Sequence, residues 1–294
     1  MQAQSPELAL AEFVKRFQGK ARIAPFAMNI QVLIQSLADA DLDYRQLATV
    51  IHHYPVITAR IIALANSVWT CPATPITTIE AACIRLGHSV VKSVSIALAV
   101  ASSFNIARCP VFNPMHFWTS TMLVAEASKL LATKLPSHAG YPVELLYTAQ
   151  TGGILHALGL LWLADNLATE TSEALQHSSA EPLLTVSQAL IDRIGIDYCS
   201  VGAWIGKQWQ MPEELICVMQ HHRDDPHQAD APASVILVGA AAKMSSSLIC
   251  DTQEFPDYPD LHALGIDSNM QKAVMLQIAK KLDTTKELAK TLFL

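Results

Sequence analysis

The chain has 294 residues, of which 51% are hydrophobic and 16% charged, with a formal net charge of −6 and a pI near 6.0. That length allows one large or two modest domains, and that apolar content fills a sizeable core, which excludes a disordered tail protein. An acidic balance without a basic stripe excludes a nucleic-acid module, whose surface must neutralise phosphates, and charge below the usual share of about 25% leaves exposed surface for a partner.

Residues 5–18 begin with Ser5-Pro6 and place Leu8, Leu10, Phe13, Val14 and Phe17 at helical spacing, with Gly19 as the stop. A loop through Pro25 leads to a second helix carrying Ile30, Leu33, Ile34 and Leu37, which ends near Asp39, Asp41 and Asp43. Those alternating aspartates do not make a calcium loop, because the glycine at its sixth position and the glutamate at its twelfth are missing. Asp43 and Gln46 instead fit an N-cap and its reciprocal partner, opening a helix with Leu47, Val50 and Ile51 inside. His52-His53 suits a helix end that favours positive charge. Tyr54-Pro55 breaks the chain, residues 56–65 form a short helix with Ile57, Ile61, Leu64 and Ala65 on one face, and Asn66-Ser67 closes it. Thr77 and Glu80 form a capping box ahead of residues 81–86, Gly87 supplies the C-cap, and residues 89–104 continue as an apolar helix. Asn113-Pro114 opens a helix with Trp118, Met122, Ala125 and Leu130 that stops before Pro136, and Pro142 starts the next.

The chain is organised around residues 151–165, TGGILHALGLLWLAD, which carry no charge before the last position yet contain one imidazole. Gly152 and Gly153 let a helix approach its neighbour closely, and Gly159 reads as a helix stop with a left-handed cap. His156 then falls in the last turn of a buried helix, with a new helix from Leu160. Two readings stand for it: a core histidine satisfied by backbone or hydroxyl partners, and a surviving metal ligand or switch. The uncharged run 145–164 has the length of a membrane span, but its polar residues and glycines and the lack of an aromatic belt with basic flanks favour a buried helix pair. The N-terminus lacks a signal-peptide pattern, and the expected location is the cytoplasm.

Helices follow at 183–194, 198–209 and 212–222, separated by Gly195 and Pro212, and a small-residue helix at 235–246. Residues 251–261, with Pro256 and Pro259, read as an extended loop. Ser268 caps a last helix with Val274, Leu276, Ile278, Leu282, Leu288 and Leu292 inside and Lys280, Lys281, Lys286 and Lys290 on its solvated side. Six cysteines without close pairing suit reduced thiols, and Cys217 with His221 is a weak ligand pair. Nothing alternates with period two for long, so the expected class is all-α.

Several of these stretches together resemble the HDOD family, a bacterial signalling branch of the HD-domain phosphohydrolases. The resemblance rests on residues 54–67 (YPVITARIIALANS), on 76–87 ending in Leu-Gly, on Phe117-Trp118 with Ala125, and on Gly152 to Gly159 around His156. It continues through Val201-Gly202-Ala203-Trp204, Trp209, Met211-Pro212-Glu213 and His221-His222. It implies a helical N-terminal lobe packed against an HD-like helical lobe, divided as an N-terminal helix 1–21, a lobe 22–108, a degenerate HD-like lobe 109–246, and a loop with a C-terminal helix 247–294. Pro55, Asn66, Ser67, Gly87, Gly153, Gly159, Gly202, Trp209 and Pro212 would be structural motif positions.

HD phosphohydrolases hold divalent metal with a histidine, a His-Asp dyad and a later aspartate. By the resemblance, the dyad position here reads His156-Ala157, the first histidine falls near Ser120, the last aspartate falls in the acid-free run 239–242, and Tyr198 replaces a common histidine. The implied ligand set has lost its carboxylates, so no catalytic residue and no cofactor is expected. His156 with His221 or His222 leaves room for a residual zinc or nickel site, although adjacent helical histidines point about 100° apart and one of them should face the pocket. The candidate pocket comprises His156, Trp118, Ser120, His221, His222 and Asp165. The expected function is a non-catalytic signal-transduction module that binds signalling proteins, with no nucleic-acid or membrane partner. Two alternatives are a residual phosphohydrolase recruiting Asp165, Glu213 or Glu214 as metal ligands, and a nucleotide or small-ligand sensor.

Overall fold

Apolar residues at helical spacing, punctuated by prolines, glycines and side-chain caps, leave the backbone little alternative to helix. The computed structural model of the chain describes residues 6–17, 28–38, 42–67, 70, 72, 74–181, 183–224, 231–250 and 257–293, and no strand occurs among them. The all-α class holds. Gly19, Pro25, Asp39, Asp41 and Pro256 lie outside the described residues.

In chain order the helices are α1 (Pro6–Arg16), α2 (Met28–Ala38), α3 (Tyr44–His52), α4 (Pro55–Ala65), α5 (Ile79–Leu86), α6 (His88–Ala101), α7 (Pro114–Ala132) and α8 (Glu144–Leu155). They continue as α9 (Leu158–Asn166), α10 (Ala168–Ala180), α11 (Val186–Ile194), α12 (Tyr198–Gln208), α13 (Glu213–His221), α14 (Ala233–Ile249), α15 (Pro259–Ala263) and α16 (Ser268–Phe293). Among the described residues no single helix is long and apolar enough to cross a membrane.

The helices gather into two packing units that interleave along the chain. Unit 1 takes Met1–Phe26, Ser102–Asn113 and Leu155–Arg223; unit 2 takes Ala27–Ala101, Pro114–Ile154 and Asp224–Leu294. In unit 1, Phe13 of α1 meets the edges of Trp162 and Trp204 at 6.0 and 6.4 Å, and those two indoles meet each other at 5.4 Å. Large aromatic area is thereby buried in preferred edge-to-face geometry.

In unit 2, α14 and α16 both pack on α7. Trp118 of α7 is buried and stacks on Phe293 of α16 with ring centres 4.2 Å apart and planes 10° from parallel. Glu126 and Lys281 form an ion pair between the same two helices, and Arg60 donates to the Leu292 carbonyl at 3.3 Å. A Cβ on Gly153 of α8 would lie 2.5 Å from Ala125 Cα of α7, so only glycine permits that crossing.

Caps set the helix starts. Asp43 accepts from the amides of Arg45 and Gln46 while Gln46 accepts from the Asp43 amide, which completes the expected capping box. Asn66 ends α4 and binds both the carbonyl and the amide of Ile76, at 2.7 and 2.8 Å, pinning the following loop. Thr78, not Thr77, caps α5 by accepting from Ala81, which puts Ile79, Ala82, Cys83 and Leu86 in the core. Asp267, not Ser268, accepts from the Met270 amide at 2.8 Å at the start of α16, and Leu276 stands 45% exposed on its outer side. The expected loop over 251–261 gives way to α15 from Pro259, because proline is preorganised for a first helical turn. The polar helix α10 has no counterpart in the sequence reading.

Candidate functional site

The largest correction concerns Gly159. It is not a stop: α8 ends at Leu155, His156 and Ala157 form a turn, and Gly159 lies inside α9. The glycine is required by a crossing. A Cβ there would sit 2.0 Å from the Tyr198 carbonyl oxygen and 2.6 Å from the Gly202 amide nitrogen of α12. Gly202 answers from the other side, its own Cβ position being 3.3 Å from the Gly159 nitrogen. The backbones of α9 and α12 therefore touch, which brings the first turn of α12 against the His156 turn. Asp197 fixes that first turn by accepting from the Ser200 amide at 2.9 Å.

His156 and His222 are both buried, with ring centres 5.0 Å apart and planes at 84°. His222 caps the end of α13, and its Nδ1 lies 3.1 Å from the Val218 carbonyl and 3.2 Å from that of Met219. Carbonyl oxygens only accept, so Nδ1 carries the proton and Nε2 presents a lone pair. That lone pair faces the Cys199 sulfur at 4.0 Å, where the thiol can donate weakly. Burial first, and then the neighbouring His156, push the His222 pKa down to about 3, so the ring stays neutral at physiological pH.

Tyr198 is buried beside this pair, 6.0 Å from the His222 ring, and burial raises its phenol pKa well above the ordinary value. Arg223 donates to the Tyr198 hydroxyl at 3.3 Å and lies 5.9 Å from the ring centre. Cys199 and Arg223 escaped the sequence reading. The signal for Cys199 was its position three residues before Gly202, which places it on the crossing face of α12.

Of the other candidates, His221 is half-buried, while Asp165 occupies the last turn of α9 and faces Arg108 at 3.6 Å. Glu213 and Glu214 are exposed in the first turn of α13, about 12 Å along its axis from His222 at the usual helical rise. Ser120, Trp118 and residues 239–242 belong to unit 2.

A divalent cation of the HD type needs carboxylate oxygens together with imidazole nitrogens. The residue after His156, which the resemblance puts at the dyad's carboxylate position, is Ala157 with only a methyl group, and one nitrogen of His222 is committed to backbone carbonyls. Among the described residues no group of three or more His, Cys, Asp or Glu could hold a metal ion. The residues present do not fit that cation.

The HDOD domain model matches residues 23–225, more than half of the chain. The chain belongs to the HDOD domain family. This HDOD chain is similar to an HDOD domain protein of unknown function from Geobacter sulfurreducens, with 20% identity, 98% of this chain and 99% of that one covered, and a TM-score of 0.76. A protein from Marinobacter aquaeolei VT8 named provisionally for signal transduction has 19% identity and a TM-score of 0.81 over 98% of this chain. The HDOD chain covers 66% of that longer protein. A provisionally named phosphohydrolase from Shewanella amazonensis SB2B has 22% identity and a TM-score of 0.67, with 97% and 98% covered. These similarities establish a shared fold. No curated protein matches the chain.

Proposed function

We propose that this HDOD chain is a regulatory module of bacterial signal transduction that acts by binding protein partners and does not hydrolyse phosphate esters. The observation that carries the reading is His222. Its proton is held by two carbonyls, its lone pair faces a thiol, and the His156 beside it is followed by Ala157 where a hydrolase of this superfamily has a carboxylate. A metal activates water by lowering its pKa, and two buried imidazoles supply neither the charge nor the oxygen ligands that hold a hard cation there. In this reading the module has no resident cofactor, its surface serves signalling proteins, and its place is the cytoplasm.

The test is a hydrolysis assay of the purified chain with magnesium, manganese or nickel on phosphomonoesters, phosphodiesters and nucleotides, beside His156→Ala. Neither protein should turn over substrate above the buffer rate. Metal-dependent turnover that His156→Ala abolishes would overturn the reading in favour of a residual phosphohydrolase. The binding half is tested by photocrosslinking from surface positions in cells, followed by reconstitution with the purified partner and a measured Kd. If no crosslinked protein rebinds saturably, that half fails.

A further inference from the structure

Trp118, a candidate pocket residue by sequence, lies in unit 2 under the end of α16, a contact that the foregoing function does not use. The indole is 1% exposed and stacks on Phe293 at 4.2 Å. Leu288, Ala289 and Leu292 of the same last turns are buried, and Arg60 of α4 donates to the Leu292 carbonyl at 3.3 Å. Together α7 and α4 form a largely apolar seat that holds about two turns of helix.

Burial along α16 is split between its ends. The first half buries Gln271, Val274, Met275 and Ile278, and the last turns bury Leu288, Ala289 and Leu292, whereas none of residues 279–287 is fully buried. That middle stretch spans about 13 Å at the usual helical rise. It carries the ion pair of Lys281 with Glu126 of α7, which is open to solvent on the lysine side, and a solvated pair contributes little. It also holds Asp283, Thr284 and Thr285, all weak helix formers. A segment with little buried apolar surface opens locally at lower cost than the core around it.

The resident helix also defines what could replace it. The seat takes apolar side chains at positions 288, 289, 292 and 293, the last an aromatic ring against Trp118, and it offers Glu126 to a basic residue about three turns earlier, where Lys281 stands. Anchors at that spacing are how an amphipathic helix is read by a groove.

We propose that the last two turns of α16 are an autoinhibitory latch on α7 and α4, displaced by a partner's amphipathic helix that carries an aromatic anchor about three turns after a basic residue. The proposal rests on the reading that the module binds protein partners, and it gives that binding a place and a gate. The start of α16 stays packed, its end leaves, and Trp118 becomes the floor of the site.

The experiment is fluorine NMR of the full chain labelled with 5-fluorotryptophan, the Trp118 resonance being assigned with Trp118→Phe. The probe is a synthetic peptide of residues 279–293, the latch supplied in trans. In Phe293→Ser combined with Lys281→Glu, the Trp118 resonance should move while hydrogen exchange at residues 274–278 stays as in the wild type, and the peptide should return the resonance saturably towards its wild-type position. Binding should be at least tenfold weaker for a peptide carrying Phe293→Ser, and at least tenfold weaker for the intact peptide on the wild type, whose seat is filled. The proposal is overturned by an unmoved Trp118 resonance, by exchange at 274–278 that rises with that at 288–292, by no saturable binding to the variant, or by equal binding to the wild type. Should the double variant fail to fold, Phe293→Leu, which keeps an apolar filler but loses the ring stack, is read in the same way. A failed latch leaves the partner-binding reading to crosslinking and reconstitution, which detect binding at any surface.

Discussion

At the turn between α8 and α9, two imidazoles meet edge to face in unit 1, and one of them spends its proton on backbone carbonyls and turns its lone pair to a thiol. At the start of α6, in unit 2, Lys92 and Lys129 line a cavity together with the hydroxyl of Ser89, the amide of Gln150 and the imidazole of His88. Both regions bury nitrogen, yet the first keeps its ring neutral, whereas in the second the Lys92 ammonium lies 4.6 Å from the centre of the Tyr147 ring. A buried polar group that is internally satisfied and neutral acts as packing.

The sharpest way to break this contrast is to open the histidine region. Gly159→Val should cost about 3 kcal/mol or more in denaturant unfolding, because its Cβ would lie 2.0 Å from a backbone oxygen of α12, which cannot rotate away. A cost below about 1 kcal/mol would mean that α9 and α12 separate easily and that the close seal around His156 is not rigid.

Restoring the missing carboxylate is the next largest perturbation. Ala157 is 7% exposed, so Ala157→Asp should destabilise by about 2 kcal/mol, and less at pH 4 than at pH 8, since burial raises the folded-state pKa of the new acid and its protonated form is tolerated. Stoichiometric manganese in this variant, measured by elemental mass spectrometry after dialysis, would show that the remaining donors still converge on a cation site.

His222 provides a titration of the same idea. Its folded pKa of about 3 lies below the ordinary 6.5 that applies when unfolded, so the unfolded chain binds the extra proton between these values. The stability contributed by the neutral ring is complete above about pH 6.5 and falls as pH drops towards 3, by at most about 1.4 kcal/mol per pH unit. Urea unfolding at pH 4, 5, 6 and 7 should show His222→Leu with a shallower decline than wild type. Equal slopes would mean that the ring is protonated in the folded protein and available for ion pairing.

Much of this architecture was legible in the sequence because it depends on near neighbours. The Asp43–Gln46 box, the Pro55 start and the Gly87 stop each involve groups within a few residues of one another. The errors arose where a distant backbone decides the outcome. A glycine that ends a helix and one that lets two helices touch are the same letter, and only Tyr198 and Gly202 on α12 tell them apart for Gly159. Adjacent capping residues, Thr77 with Thr78 and Asp267 with Ser268, compete with similar chemistry, and the phase of the buried face selects one. In the candidate site, His156 drew notice as a lone imidazole in an apolar run. Cys199 and the lysine cavity did not, since their meaning comes from helices far apart in sequence.

The smallest expected effect tests whether the cavity wall depends on local capping. Asp43→Ala removes the carboxylate that accepts from Arg45 and Gln46 at 2.7 and 2.8 Å and should cost about 1 kcal/mol. Leu42, immediately before this cap, lines the cavity, so fraying of α3 loosens that wall while the crossing of α9 and α12 in unit 1 keeps its own contacts. Hydrogen exchange should therefore speed up at the amides of residues 45 and 46 and leave those of 198–202 unchanged. Faster exchange at both sets would show that the two units unfold as one cooperative body, and the histidine and lysine regions could then no longer be perturbed separately.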